Sequence, residues 1–360
     1  MGSYDQEDVV FLLKDVSNVI EEQGTEDREE AIQSGIHYSE MLPIEYKPSS
    51  EYMQLFYDTL QETATKLAVA VGVVGEMIVQ NRGKSMVLVS LARAGTPIGV
   101  LIKRYLKYRY GINPPHYSIS IIRGKGIDES AIKYILKHHP NKPIQFIDGW
   151  TGKGAITQVL HKACENFQQK YGFRLNNDLA VLADPGYCVS TFGTREDFLI
   201  ASACLNATVA GLVSRTVERE DLIGKDDFHG AKYYKELAEE DVSYVFIDKI
   251  VAEFPKVQQK IQDQLQQLAQ EDTRPTWIGL HDIKKIQEDF EIQDINLIKP
   301  GIGETTRVLL RRIPWKILVK DKNNPNLKHI LLLAEERKVS VEVYEKMTYQ
   351  CCGLIKPLKE

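Results

Sequence analysis

The chain has 360 residues, enough for two domains, with 43% hydrophobic and 26% charged residues, the balance of a soluble globular protein. Its formal net charge of -5 argues against a protein whose whole surface binds nucleic acid. No apolar run reaches the ~18 residues of a membrane span, so no membrane partner is expected.

The charge is uneven. Residues 1–40 hold eleven acids against Lys14 and Arg28, whereas residues 274–360 hold sixteen Lys and Arg against twelve Asp and Glu. That asymmetry suggests different partners for the two ends. The acidic N-terminus lacks the basic-then-apolar layout of a signal peptide. The five cysteines are an odd number without a CxxC pair, which points away from a disulfide framework or zinc site and toward a reducing, cytoplasmic setting.

Residues 1–80 are expected to form a helical N-terminal extension or lid. VVFLLKDVSNVI has helical periodicity, MLPIEYKPSSEYM is a loop, and Leu55 to Val79 reads as a buried helix. IHYSEMLPIE within this stretch is a candidate lid. From Ser85 the pattern becomes strand and helix in turn. MVLVSL, HYSISII, IQFID and LAVLAD are strands, with AGLVSRTV as a candidate fifth; the intervening segments are helical, as is the stretch around EDFLIASACL. Almost wholly apolar strands alternating with helices predict an α/β fold with a parallel sheet covered on both faces. This domain spans 81–272. Residues 273–360, beginning near TRPTW, are expected to form a small second α/β unit.

The third strand runs into FIDGWTGKGAIT. A nucleoside-triphosphate P-loop needs four residues between its first glycine and its Gly-Lys pair; Gly149 and Gly152 are separated by two, so that motif fails. The type I phosphoribosyltransferase pattern fits better: an acid at the strand end, Asp148, and a glycine six positions later, Gly154. Gly152, Lys153, Gly154 and Ala155 would turn backbone N–H groups onto a phosphate at a helix N-terminus, with Thr151 and Thr157 as hydroxyl donors. Asp148 would accept from ribose hydroxyls. The usual second acid is absent, because Gly149 stands there, and a donor other than ordinary phosphoribosyl pyrophosphate is compatible with that departure. At the first strand tip, SLARAGTPIG offers Arg93, Ala94 and Gly95 to a pyrophosphate. After the second strand, IIRGKGID offers Arg123 and Lys125 on a closing loop.

SLARAGTPIG, FIDGWTGKGAIT, ADPGYC and DDFHGAKYY together resemble the bacterial StiP family. The resemblance covers nearly the whole chain. It implies a phosphoribosyltransferase-like domain followed by a C-terminal Pelota-type RNA-binding domain. Members occur in stress operons of the tellurium-resistance (Ter) type, thought to make a nucleoside-like metabolite, although the family carries the label cysteine protease. The expected activity is phosphoribosyl transfer from phosphoribosyl pyrophosphate to a base-like acceptor. Mg²⁺, Arg93, Arg123 and Lys125 would neutralise the pyrophosphate; Asp184 would face the nucleophile or bind metal.

Two alternatives stand beside it. A thiol hydrolase would use Cys188, in the loop after the fourth strand, with His229 and Asp227 from DDFHGAKYY. A non-catalytic, nucleotide-sensing RNA-binding regulator would rely on the C-terminal unit. There IKPGIGETTRVLLRR offers Gly301 and Gly303 at a helix N-terminus and Arg307, Arg311 and Arg312 to RNA phosphates, Arg307 and Arg311 sharing a helix face.

Overall fold

The computed structural model describes residues 1–24, 31 and 35–356; parts of the expected N-terminal extension (25–30, 32–34) and the last four residues lie outside them. Strands β1 (Val10–Phe11), β2 (Lys14–Asp15), β3 (Glu22–Gln23) and β4 (Leu42–Pro43) precede the 33-residue helix α1 (Ser50–Arg82). The α/β alternation follows: β5 (Val87–Ala92), α2 (Gly95–Tyr110), β6 (His116–Ile122), β7 (Gly126–Ile127), α3 (Glu129–His138), β8 (Ile144–Trp150), α4 (Ala155–Tyr171), β9 (Leu179–Ala183) and β10 (Thr191–Thr194). After β11 (Gly230–Ala231), helices α5 (Ser243–Val251) and α6 (Gln258–Leu268) close the first domain. The second consists of α7 (Ile278–Asp289), β12 (Ile298–Pro300), α8 (Ile302–Arg311), β13 (Pro314–Val319), α9 (Lys328–Glu336), β14 (Ser340–Val343) and β15 (Cys351–Ile355).

The main sheet has the order β1-β6-β5-β8-β9-β10, parallel throughout, with β7 antiparallel to β6. Its strands are nearly all buried, as a sheet covered on both faces requires. The chain leaves β5 toward β6 and later returns to the other side of β5 as β8. The two crossover directions place α2 and α4 on opposite faces. The crevice at the carboxyl ends of β5 and β8 is thus a topological switch point, where open parallel sheets bind ligands. The C-terminal domain has a mixed sheet, β12-β15-β13-β14, in which only β13 and β14 are parallel.

Three local expectations change. VVFLLKDVSNVI is not helical: its apolar run fits either state, and the open edge of β6 captures it as β1, Val10 opposite Tyr117. EDFLIASACL is an irregular stretch with one 3₁₀ turn at Ala201–Ala203. Its polar groups serve the other domain: Asp197 accepts from Ile302 N at 2.8 Å, and the Cys204 carbonyl accepts from Arg311 at 2.7 Å. AGLVSRTV makes only isolated bridges at Val213 and Val217; the fifth consecutive parallel strand of the domain is β10. The α1 helix is also no lid. It packs against β9, β10, α2, α5 and α6 as a layer of the first domain, and it reaches the cleft described below only through Tyr52 in its first turn, beside the preceding segment 43–49.

Glycines in α1 allow that packing. A Cβ at Gly75 would lie 2.6 Å from Tyr105 Cδ1, and the Tyr105 ring is fully buried with its hydroxyl on Glu76 at 2.8 Å. Gly75→Leu is therefore expected to destabilise the protein by about 1–3 kcal/mol through overpacking. A urea midpoint equal to that of the wild type would contradict this.

Candidate functional site

The tips of β5 and β8 open into a cleft of about 930 Å³ whose other wall is the C-terminal domain. Ten Lys and Arg side chains line it against three carboxylates, Glu45, Asp148 and Glu304. Such a surplus in a partly desolvated space favours a polyanion.

The floor is the turn from β8 into α4. Gly154 takes the left-handed conformation (φ +80°) at the helix N-cap. A Cβ there would also meet the Trp277 ring and lie 2.7 Å from Cys188 Sγ, so glycine is required twice over. The backbone N–H groups of Gly152, Lys153, Gly154 and Ala155 have no acceptor among the described residues. They and the positive end of α4 make a nest that is able to accept an anion. Thr157 lies buried at this floor. The Thr151 hydroxyl is already committed, donating to Asp184, which leaves Thr157 as the free hydroxyl of the pair. Lys153 Nζ donates to the carbonyl of Ile295 at 2.5 Å. Burial, then Lys299 and Arg123, push its ammonium down to about 7.

Asp148 sits partly accessible at the strand tip, its carboxylate accepting from Gly149 N at 2.8 Å. Burial pushes its carboxyl up to about 7, and the Gly149 amide and Arg307 only partly oppose this. Opposite it, Ala94 and Gly95 open α2. Gly95 lies so close to β8 that a Cβ would strike the Ile147 carbonyl. The Ala92–Arg93 peptide is cis. Arg93 donates to Val213 O at 3.0 Å and to Glu45 at 3.4 Å. Arg123 also lines the cleft. Lys125 does not: it donates to Glu218 O at 2.9 Å, with Glu40 and Glu218 carboxylates within 4 Å.

The far wall is α8 and β12. Gly303 brings the first turn of α8 onto Trp150, where a Cβ would lie 3.5 Å from the ring. Arg307 stacks over Trp150 at 4.7 Å and pairs with Glu304 at 3.2 Å. Arg311 donates to Asn206 and to Cys204 O; burial, then Arg307, push its guanidinium down to about 10. Lys299 Nζ makes no hydrogen bond or ion pair among the described residues, and burial first pushes it down to about 8. Gly301, Gly303, Arg307 and Arg311, expected to face RNA, are turned onto the first domain, and Arg312 lines the same cleft. Glu45 closes the candidate lid stretch IHYSEMLPIE, whose last three residues do line the cleft, whereas Glu304 and Lys299 were not singled out from the sequence, because nothing in their local spacing places them at the strand tips.

The remaining candidates lie elsewhere. Asp184 is fully buried; it accepts from Thr151, from Cys188 N and Val189 N, and from Arg195. Cys188 is buried beneath the nest, Sγ 3.8 Å from Gly152 O, and burial followed by Asp184 pushes its thiol up to about 12. His229 bonds Ser120 Oγ at 2.8 Å and approaches Glu218 at 3.9 Å. Asp227 pairs with Lys14 at 2.6 Å. The partners of Cys188 and those of His229 and Asp227 share no residue. Among the described residues, all five cysteines are free, and no three His, Cys, Asp or Glu side chains converge as a metal cage.

The fold and site define a two-domain α/β protein with a cation-lined cleft at a parallel-sheet switch point and a C-terminal domain as its second wall. Residues 2–251 match the family described as tellurite-like stress resistance cysteine protease StiP, and residues 277–357 match the PELOTA RNA binding domain. The chain is 35% identical over 358 residues to the cysteine protease StiP of Acinetobacter baylyi, covering 95% of this chain and 90% of that one. It belongs to the StiP family. Among solved structures it is similar, at 10% identity and a TM-score of 0.23, to a hypothetical protein from Neisseria gonorrhoeae with bound ppGpp, over 34% of this chain and 68% of that one. The same identity and score relate it to Vibrio vulnificus NanR complexed with ManNAc-6P, over 61% and 67%. Scores this low carry no argument. No helix among the described residues is long and apolar enough to cross a membrane.

As pH falls from 8 to 6, Lys153 gains a positive charge and Asp148 loses a negative one. Sulfate, whose charge is constant here, is expected to bind roughly ten-fold more tightly at pH 6. Calorimetry should show this dependence reduced in Lys153→Met; weaker binding at pH 6 would refute it.

Proposed function

We propose that this protein is a phosphoribosyltransferase-like enzyme that moves a pentose 5-phosphate from a pyrophosphorylated donor to a base-like acceptor. The observation that carries the reading is the set of unsatisfied N–H groups at Gly152 to Ala155, facing a cleft rich in guanidinium groups at the β5/β8 switch point. The nest and Thr157 would hold the 5-phosphate. Asp148 would accept from ribose hydroxyls. Arg93, Arg123 and the amides of Ala94 and Gly95 would take the pyrophosphate, stabilising the charge that grows as the C1–O bond breaks. The acceptor nitrogen would then bond to C1 and lose its proton to the departing pyrophosphate, and walls enclosing the donor would limit its hydrolysis by water.

Mg²⁺ fits this donor set. Asp148, one carboxylate at the strand tip, could share an ion carried chiefly on substrate phosphates. When bound, the ion would offset charge on the leaving pyrophosphate. A ligand reaching the C-terminal arginines would enter the cleft, which suits a nucleotide or acceptor better than an RNA lying on an outer face.

The family's description supports a second reading, a thiol hydrolase centred on Cys188. Against it stand the buried thiol, held far above neutrality, and the separate settings of Cys188 and His229. A thiol with so high a pKa is almost wholly protonated at pH 7.

Phosphoribosyl pyrophosphate with Mg²⁺ is expected to bind the full-length protein, and Asp148→Asn to weaken that binding about ten-fold or more, as the loss of charged hydrogen bonds requires. Titration calorimetry without heat at millimolar donor would overturn the transferase reading. Cys188 is expected to resist iodoacetamide at pH 7, and Cys188→Ser to leave donor binding intact. Selective Cys188 labelling that His229→Ala slows would establish the hydrolase instead.

A further inference from the structure

The strand tip holds one carboxylate where a vicinal diol offers two hydroxyls. Gly149, next to Asp148, contributes no side chain. Space is not the reason: a Cβ there would lie 3.5 Å from Ala94 O and 3.8 Å from Ile98 Cγ1, ordinary contacts. A second carboxylate lines the same cleft from the other domain. Glu304, in the first turn of α8, lines the cleft with Asp148 and keeps 29% of its side chain exposed. Arg307 fixes it at 3.2 Å while stacking on Trp150, two residues beyond Asp148. Gly303 seats that turn of α8 against the Trp150 ring. The Glu304 charge also contributes to raising the Asp148 carboxyl, so the two groups share one field.

We propose that Asp148 and Glu304 form a single two-carboxylate site for the vicinal hydroxyls of a pentose phosphate, built across the domain boundary. The site deepens the transferase reading and rests on its placement of the sugar, but it requires no pyrophosphate. The C-terminal domain thereby completes sugar recognition: Glu304 supplies the acceptor that Gly149 lacks, and Arg307 and Trp150 hold it in place.

The test compares ribose 5-phosphate with 2-deoxyribose 5-phosphate by calorimetry on the full chain. The wild type should prefer the ribose compound by about ten-fold, the size of one charge-assisted hydrogen bond. Glu304→Gln should lose that preference while still binding inorganic phosphate, no more weakly than the wild type. Gly149→Asp, added to Glu304→Gln, should restore it, and melting temperatures establish that each variant is folded. The inference is overturned if the wild type binds neither sugar phosphate, if it shows no ribose preference, or if the preference survives in Glu304→Gln. A ribose preference that depends on Glu304, without binding of phosphoribosyl pyrophosphate, would sustain this site and sink the transferase reading alone.

Discussion

The arrangement of the cleft depends on how α8 is docked. The buried Asp197 carboxylate accepts from Ile302 N, at the start of α8, and from Gln350 N, both at 2.8 Å. It satisfies first-turn donors of the helix and complements its positive end. Burial raises the Asp197 carboxyl to about 6, so its charge at neutral pH is maintained against desolvation by the N–H groups it caps. Tyr52 from α1 binds the Leu310 carbonyl at 2.8 Å, at the other end of α8, and Tyr349 binds the Gly152 carbonyl at 3.0 Å. With both ends of α8 held, Glu304, Arg307 and Arg311 have one direction to face.

That docking explains the electrostatics. Cations that would be solvated on a free domain are gathered into a partly buried space and repel one another, which contributes to lowering Lys153, Lys299 and Arg311 together. Carboxylates are too few to balance them, which leaves the cleft with a surplus of positive charge. Below the floor the logic reverses. Asp184 has a full set of donors, including Arg195, and holds the loop that carries Cys188. Its role there is to shape the nest from beneath.

The three loops at the strand tips were legible because each couples a local signal to a local need: glycine where the backbone must turn or approach closely, and a cation or an unpaired N–H at a helix start. Arg93, Arg123, Asp148 and the 152–155 turn do reach one cleft. Lys125 carries the same local signal and lies outside it, held by Glu218 and Glu40. The short elements were read less well. VVFLL satisfies helix and strand alike until a sheet edge is present, and EDFLIASACL gives its polar groups to α8 rather than to its own helix ladder. Cys188 and His229 were grouped by residue type, which carries no distance.

The sequence by itself determined the alternation of buried strands and helices and the glycine-rich turns at successive strand ends. Periodicity, glycine and charge are local properties that survive without a fold. Only the tertiary structure decided that the C-terminal arginines face inward and that Glu304 lines the same cleft as Asp148, 156 positions away in the chain. Those facts follow from the docking of one domain on another, and no spacing along the chain encodes them.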